Sequence, residues 1–142
     1  MAILSIDRIG LHANAANKVD AIRKAGALLV SSGCVLPEYV EGMLTREQSM
    51  STSLGNGVAI PHGIYENRAH ILQTGISVLQ LAEGVDWDEG EKVFMVIGIA
   101  ASSDEHVGVL SNLANVIDDE ENLAELLNTT DPEVIIKYLG TA

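Results

Sequence analysis

The residues Val93-Phe-Met-Val-Ile-Gly-Ile-Ala-Ala101 form an unbroken apolar run, and no other stretch of this chain restricts its fold as tightly. Such a run is far short of the ~20 residues that a membrane-spanning helix requires. Its branched residues predict instead a strand over Val93–Ile99, buried on both faces, of the kind found in the middle of a sheet covered by helices. With 142 residues there is material for one domain, residues 1–142, with a single substantial core.

The rest of the sequence supplies the helices and strands around that centre. From an Asn17 cap, Val19, Ile22, Gly26, Leu29 and Val30 recur at helical spacing until Gly33 stops the helix. Pro37 suits a first helical position, and Val40, Met43 and Leu44 line a second helix that ends near Glu47 or Gln48, with Arg46 in its last turn. The polar run Ser49–Ser53 and the loop signal Leu54-Gly55-Asn56-Gly57 lead into a short strand, Val58-Ala59-Ile60, ended by Pro61. Ile71–Leu81 reads as a strand, and Glu83-Gly84 with Asp88-Glu89-Gly90 as a turn region around Trp87. Ser103 or Asp104 is expected to cap a third helix with Leu110, Leu113, Ala114 and Ile117 on one face and His106 in its first turn. A fourth carries Leu123, Leu126 and Leu127. In the last, Asp131 and Pro132 are cap and first turn, Val134, Ile135 and Leu139 face inward, and Gly140 closes the helix. Helices alternating with strands give an α/β class with a mixed β-sheet flanked by helices.

Charge and cysteine content narrow the function. Twenty acidic residues against eight basic ones give a formal charge of -12, which repels nucleic acid and anionic lipid and attracts a basic protein. Cys34 is the only cysteine, so no internal disulfide can form. The first residues, Met1 to Arg8, lack the basic-then-apolar layout of a signal peptide, and the expected compartment is the cytoplasm. The tripeptide Asn128-Thr129-Thr130 matches a glycosylation acceptor without any secretion signal to support it.

Four histidines are present, and two stand in settings built for chemistry. His62 follows a proline that fixes the backbone and precedes Gly63, which leaves room for close approach, while Gly55 and Gly57 keep the neighbouring loop free of bulk. His106 is placed at a helix start, where unpaired N–H groups and the dipole favour a bound anion and a neutral imidazole, an effect that Asp104 and Glu105 partly offset. Arg46 offers a permanent charge and a fork that matches phosphate oxygens, if its helix end reaches the same place. Spacing alone does not bring His62 and His106 into one site and favours their being apart, Arg46 by itself reads as a surface side chain, and His12 and His70 read as structural or solvated. No His-Glu-x-x-His, Cys-x-x-Cys, Walker-type or Gly-x-Ser-x-Gly motif is present, so metal, nucleotide and serine or cysteine chemistry have no support.

The stretch from Glu47 through Leu54-Gly55 to Val58-Ala59-Ile60-Pro61-His62-Gly63 resembles the region around the phosphorylated histidine of the IIA component of the sugar phosphotransferase system (PTS), in its mannitol/fructose class. The likeness continues in Met43-Leu44-Thr45-Arg46-Glu47, Thr74-Gly75, Glu83-Gly84-Val85 and Ile97-Gly98-Ile99-Ala100-Ala101 leading to Glu105-His106. Pro37-Glu38-Tyr39-Val40 and the closing Asp118-Asp119-Glu120 make it most similar to the mannitol branch. The resemblance implies a phosphoryl carrier in which His62 Nε2 takes the group from the carrier protein HPr and passes it to a cysteine of a IIB component. It further implies that His106 hydrogen-bonds the phosphoryl group, that Arg46 neutralises its charge, and that no metal, cofactor or nucleotide is required. Members of the class are often fused to membrane IIC and IIB domains. This chain ends at Ala142 without one, so a stand-alone protein or an excised domain is expected, touching IIC only indirectly. The alternative from a different class is a regulatory paralogue of the nitrogen-related type that binds targets according to its phosphorylation state.

Overall fold

A computed structural model describes residues 3–88, 90–101 and 103–140, with the side chains of residues 65, 66 and 103–106 outside that description. A four-stranded sheet in the order β1-β3-β4-β2 is built from β1 (Ile9–Ala13), β2 (Val58–Ala59), β3 (Gly75–Asp86) and β4 (Lys92–Ala100). Strands β1 and β3 are parallel, as are β2 and β4, whereas β3 and β4 are antiparallel, so the sheet is mixed. The apolar run of β4 lies in the interior of the sheet as expected.

From Met95 to Ala100 the side chains of β4 alternate between two helical layers because successive residues of a strand point to opposite faces, and Val93, across the register shift with β3, falls out of that alternation. Val93, Val96 and Ala100 pack with Ala21, Ile22, Ala25 and Leu29 of α1 (Lys18–Ser31) and Tyr39 and Met43 of α2 (Glu38–Ser49). Met95, Ile97 and Ile99 pack with Val109, Leu113 and Ile117 of α3 (Ser103–Ile117), Leu126 of α4 (Glu120–Asn128), and Ile135 and Leu139 of α5 (Pro132–Leu139). Two layers of helices around one sheet bury the run on both sides.

Local signals explain most boundaries. The Asn17 side chain accepts the Asp20 N–H, and α1 ends in a Schellman arrangement in which Gly33 and Cys34 donate to the carbonyls of Val30 and Leu29. Asp119 and Asp131 cap α4 and α5 in the same way. The expected cap of α3 on Ser103 or Asp104 concerns side chains outside the described residues.

Several expectations need correction. Val19 is 47% exposed, because the buried stripe of α1 passes through Ala21 and Ala25 instead. In α3 the buried stripe is Val109, Leu113 and Ile117, with Ala114 facing solvent. Val134 is only half-buried, with Ile135 and Leu139 filling the core. Strand β3 starts at Gly75, not Ile71, since a 3-10 turn over Tyr65–His70 and an isolated bridge from Ile71 to Val35 occupy the earlier residues. The Glu83-Gly84 signal marks a bulge inside β3, where the pairing shifts register between Gln80 and Val85, while the turn follows Trp87. Edge strand β1 is not anticipated by the sequence pattern, because Gly10 and His12 weaken its alternation and only half-buried residues mark it.

Candidate functional site

Strand β2 ends at Ala59, and the chain then passes Ile60 and Pro61 to reach His62 against the end of β4. Ile60 leaves the ladder, its N–H donating to the Thr52 carbonyl at 3.1 Å. The Pro61 carbonyl accepts the Ile99 N–H at 3.0 Å, and His62 forms a parallel bridge with Ile99. A proline suits this position because its carbonyl is required and its missing N–H is not.

The half-buried imidazole of His62 places Nδ1 2.9 Å from the Ile60 carbonyl oxygen. A carbonyl can only accept, so Nδ1 carries the proton and the ring lone pair belongs to Nε2. The backbone beyond is tied from α2: the Tyr39 hydroxyl donates to the Ile99 carbonyl at 2.7 Å and accepts the Gly63 N–H at 2.9 Å. Burial pushes the Tyr39 phenol above its ordinary pKa, with the Gly63 N–H opposing in part, so the hydroxyl keeps its proton at neutral pH. Gly63 does provide for close approach, but to this ring. A Cβ there would stand 2.6 Å from Tyr39 Cε1, so the space credited to a partner molecule is filled from within the chain.

Arg46 lies in the last turn of α2 and donates from Nη1 to the Met50 carbonyl at 2.7 Å, one of the five donors of its guanidinium. The following segment is fastened by Glu47, a buried carboxylate that accepts the Thr52 N–H and hydroxyl and, at 3.0 Å, the Nε1–H of Trp87. Because Thr52 in turn receives the Ile60 N–H, the end of α2 and the approach to His62 are one hydrogen-bonded unit. That unit links the end of the helix that carries Arg46 to the segment that leads into His62. The backbone of His106 falls in the first turn of α3, which starts at Ser103, just beyond the Ile99 that pairs with His62. Its side chain is outside the described residues.

The other histidines lie elsewhere. His70 closes the 3-10 turn, with its carbonyl on the Leu36 N–H, and the His12 ring is exposed in β1. Reasoning from sequence missed Tyr39 and Glu47 as supports of this corner. An aromatic and a carboxylate on the inward face of a helix otherwise rich in polar residues were the available signals. Among the described residues no group of three histidine, cysteine or carboxylate side chains is arranged to hold a metal, and no helix is long and apolar enough to cross a membrane.

Comparison with known proteins gives this geometry its relatives. Residues 2–141 match the family model described as "Phosphoenolpyruvate-dependent sugar phosphotransferase system, EIIA 2". A multiphosphoryl transfer protein of Salmonella typhimurium is 47% identical over 130 residues, covering 92% of this chain and 35% of that protein. The chain thus spans about a third of the length of the first curated relatives it matches. A mannitol-specific phosphotransferase enzyme IIA component of Staphylococcus aureus is 43% identical over 133 residues, covering 94% of this chain and 92% of that one. Among solved structures, a chain of the Escherichia coli complex of enzyme IIAMTL and phosphorylated enzyme IIBMTL superposes with a TM-score of 0.89 at 40% identity, over 96% of each chain. On the family match and these identities, the chain belongs to the EIIA 2 family of the phosphoenolpyruvate-dependent sugar phosphotransferase system.

Proposed function

We propose that this protein is a cytoplasmic phosphoryl carrier of the sugar phosphotransferase system, taking the group from phosphorylated HPr on His62 and delivering it to a cysteine of a IIB component, with mannitol as the sugar served. The observation that carries the reading is the hydrogen bond from His62 Nδ1 to the Ile60 carbonyl, which reserves Nε2 for attack. The Nε2 lone pair forms the new P–N bond as the P–N bond on HPr breaks and its electrons return to the HPr imidazole. In the second step a IIB thiolate attacks phosphorus, and the electrons of the His62 P–N bond return to Nε2. His62 keeps its Nδ1 proton throughout, so neither step requires a base at this ring, and catalysis rests on positioning and on charge stabilisation.

In this reading Arg46 neutralises the phosphoryl oxygens and His106 donates a hydrogen bond to them from the first turn of α3. The charge of -12 speeds encounter with a basic docking surface on the donor. The mannitol-specific name of the 43% identical relative supports the choice of sugar, and the pairing of IIAMTL with phosphorylated IIBMTL in the superposed complex supports the choice of acceptor. The test is transfer from phosphorylated HPr through this protein to a mannitol IIB domain. Label reaching the IIB cysteine is expected, and label stopping on His62 would return the nitrogen-type regulatory alternative.

A further inference from the structure

We propose that Tyr39 is a positioning residue for His62, its hydroxyl setting the height and direction of the imidazole through the two backbone groups it bridges; this rests on the carrier reading above. The arch over 61–63 is attached to β4 at one foot, where Pro61 accepts the Ile99 N–H. Its other foot lies beyond the His62–Ile99 bridge and is held from α2, where the Gly63 N–H is received by the Tyr39 hydroxyl. The same hydroxyl donates to the Ile99 carbonyl, so one oxygen locks the far foot of the arch to the residue that holds the near one. The ring lies so close to Gly63 that even a Cβ there would stand 2.6 Å from Tyr39 Cε1. Just past the arch, the Asn67 carboxamide accepts the Ile64 N–H and occupies the place where Gly42, also of α2, has no Cβ.

The consequence reaches the reacting atom because the Nδ1 contact to Ile60 spans Pro61, the near foot of the arch. Without the hydroxyl, two backbone groups lose their partner, the arch shifts relative to β4, and the ring no longer keeps its Nδ1 proton against Ile60. Tyr39 touches neither the phosphoryl group nor the reacting nitrogen; it acts through Gly63 and Ile99. A residue that only stabilised the fold would leave the tautomer of His62 unchanged.

The decisive experiment reads the imidazole 15N shifts of His62 in the unphosphorylated protein, for wild type, Tyr39→Phe and Tyr138→Phe, beside the kinetics of labelling from phosphorylated HPr. Wild type and Tyr138→Phe are expected to show a single Nδ1–H tautomer, and Tyr39→Phe a tautomer mixture. With the ring misaligned, the kcat of labelling is expected to fall about 10- to 100-fold while KM for the donor stays within about twofold. If Tyr39→Phe does not fold, Gly63→Ala provides the second variant, since its methyl group displaces the same ring and is expected to blur the tautomer equally. A folded Tyr39→Phe protein that keeps the pure Nδ1–H signature overturns the proposal. A wild-type protein that takes no label overturns the carrier reading instead, and the 15N comparison still decides the role of Tyr39.

Discussion

His62 and His12 both stand at irregular ends of strands, and hydrogen-bond networks hold them for opposite purposes. At His62 the network grips the backbone on both sides and then the ring itself, through Ile60, so a side chain is aimed. At His12 it grips only the backbone. The His12 N–H donates to Gln80 Oε1, and the buried Gln80 amide donates to the carbonyls of Leu126 and Thr129 at the end of α4. His12 takes φ of +50° to make this contact and its ring is left in solvent. A left-handed conformation costs a non-glycine residue about 1–2 kcal/mol, which the buried amide network offsets. The cavity of about 350 Å³ that His12 lines together with Gln80, Leu81, Phe94, Leu127 and Asn128 has no arginine or lysine among its described residues to meet an anion. An unusual backbone is thus a poor guide to chemistry in this fold, and a side chain whose proton is assigned by a neighbour is a good one.

The largest effect should separate the two histidines outright. His62→Ala is expected to abolish labelling from phosphorylated HPr, whereas His12→Ala labels fully at the wild-type rate, both read by intact mass. The next effect tests whether the His62 corner acts as an anion site. Removing one charge-stabilising donor by Arg46→Ala or His106→Ala should slow labelling by about 10²–10³-fold while the end point still reaches one phosphoryl group. Equal rates for these variants and wild type in stopped-flow transfer would confine the site to His62 alone.

At the other end the expected effects are on stability and leave transfer untouched. Gln80→Ala strips partners from the His12 N–H and two helix-end carbonyls, and should cost about 3 kcal/mol in urea unfolding with labelling rates unchanged. The smallest effect has the opposite sign. His12→Gly relieves the positive φ and should stabilise the protein by about 0.5 kcal/mol, after the greater flexibility of glycine in the unfolded chain is deducted. A destabilised His12→Gly protein would mean that the ring contributes contacts beyond its backbone.

How much of this could be read from the sequence follows the range of each interaction. The β4 run, the Asn17 and Asp131 caps and the Gly33 stop are recognised within a few residues, and the structure keeps them. Pro61-His62-Gly63 was legible as a special setting for the same reason. Tyr39 was not legible, because its hydroxyl joins residues 24 and 60 positions away, and no local pattern announces such a meeting. Glu47 and Trp87, 40 positions apart, are the same case. The Glu83-Gly84 bulge misled because a glycine that turns the backbone inside a strand reads like one that ends it. Edge strand β1 depends on its pairing with β3 more than on its own residues.

The central claim is that His62 is the nitrogen that carries the phosphoryl group. The most direct measurement passes phosphate from phosphoenolpyruvate through Enzyme I and HPr to this protein, and compares wild type with His62→Ala by intact mass before and after acid treatment. A gain of one phosphoryl group in wild type, lost in acid and absent from the variant, is the predicted result. An unlabelled wild-type protein, or a His62→Ala protein labelled to the same extent, would contradict the account.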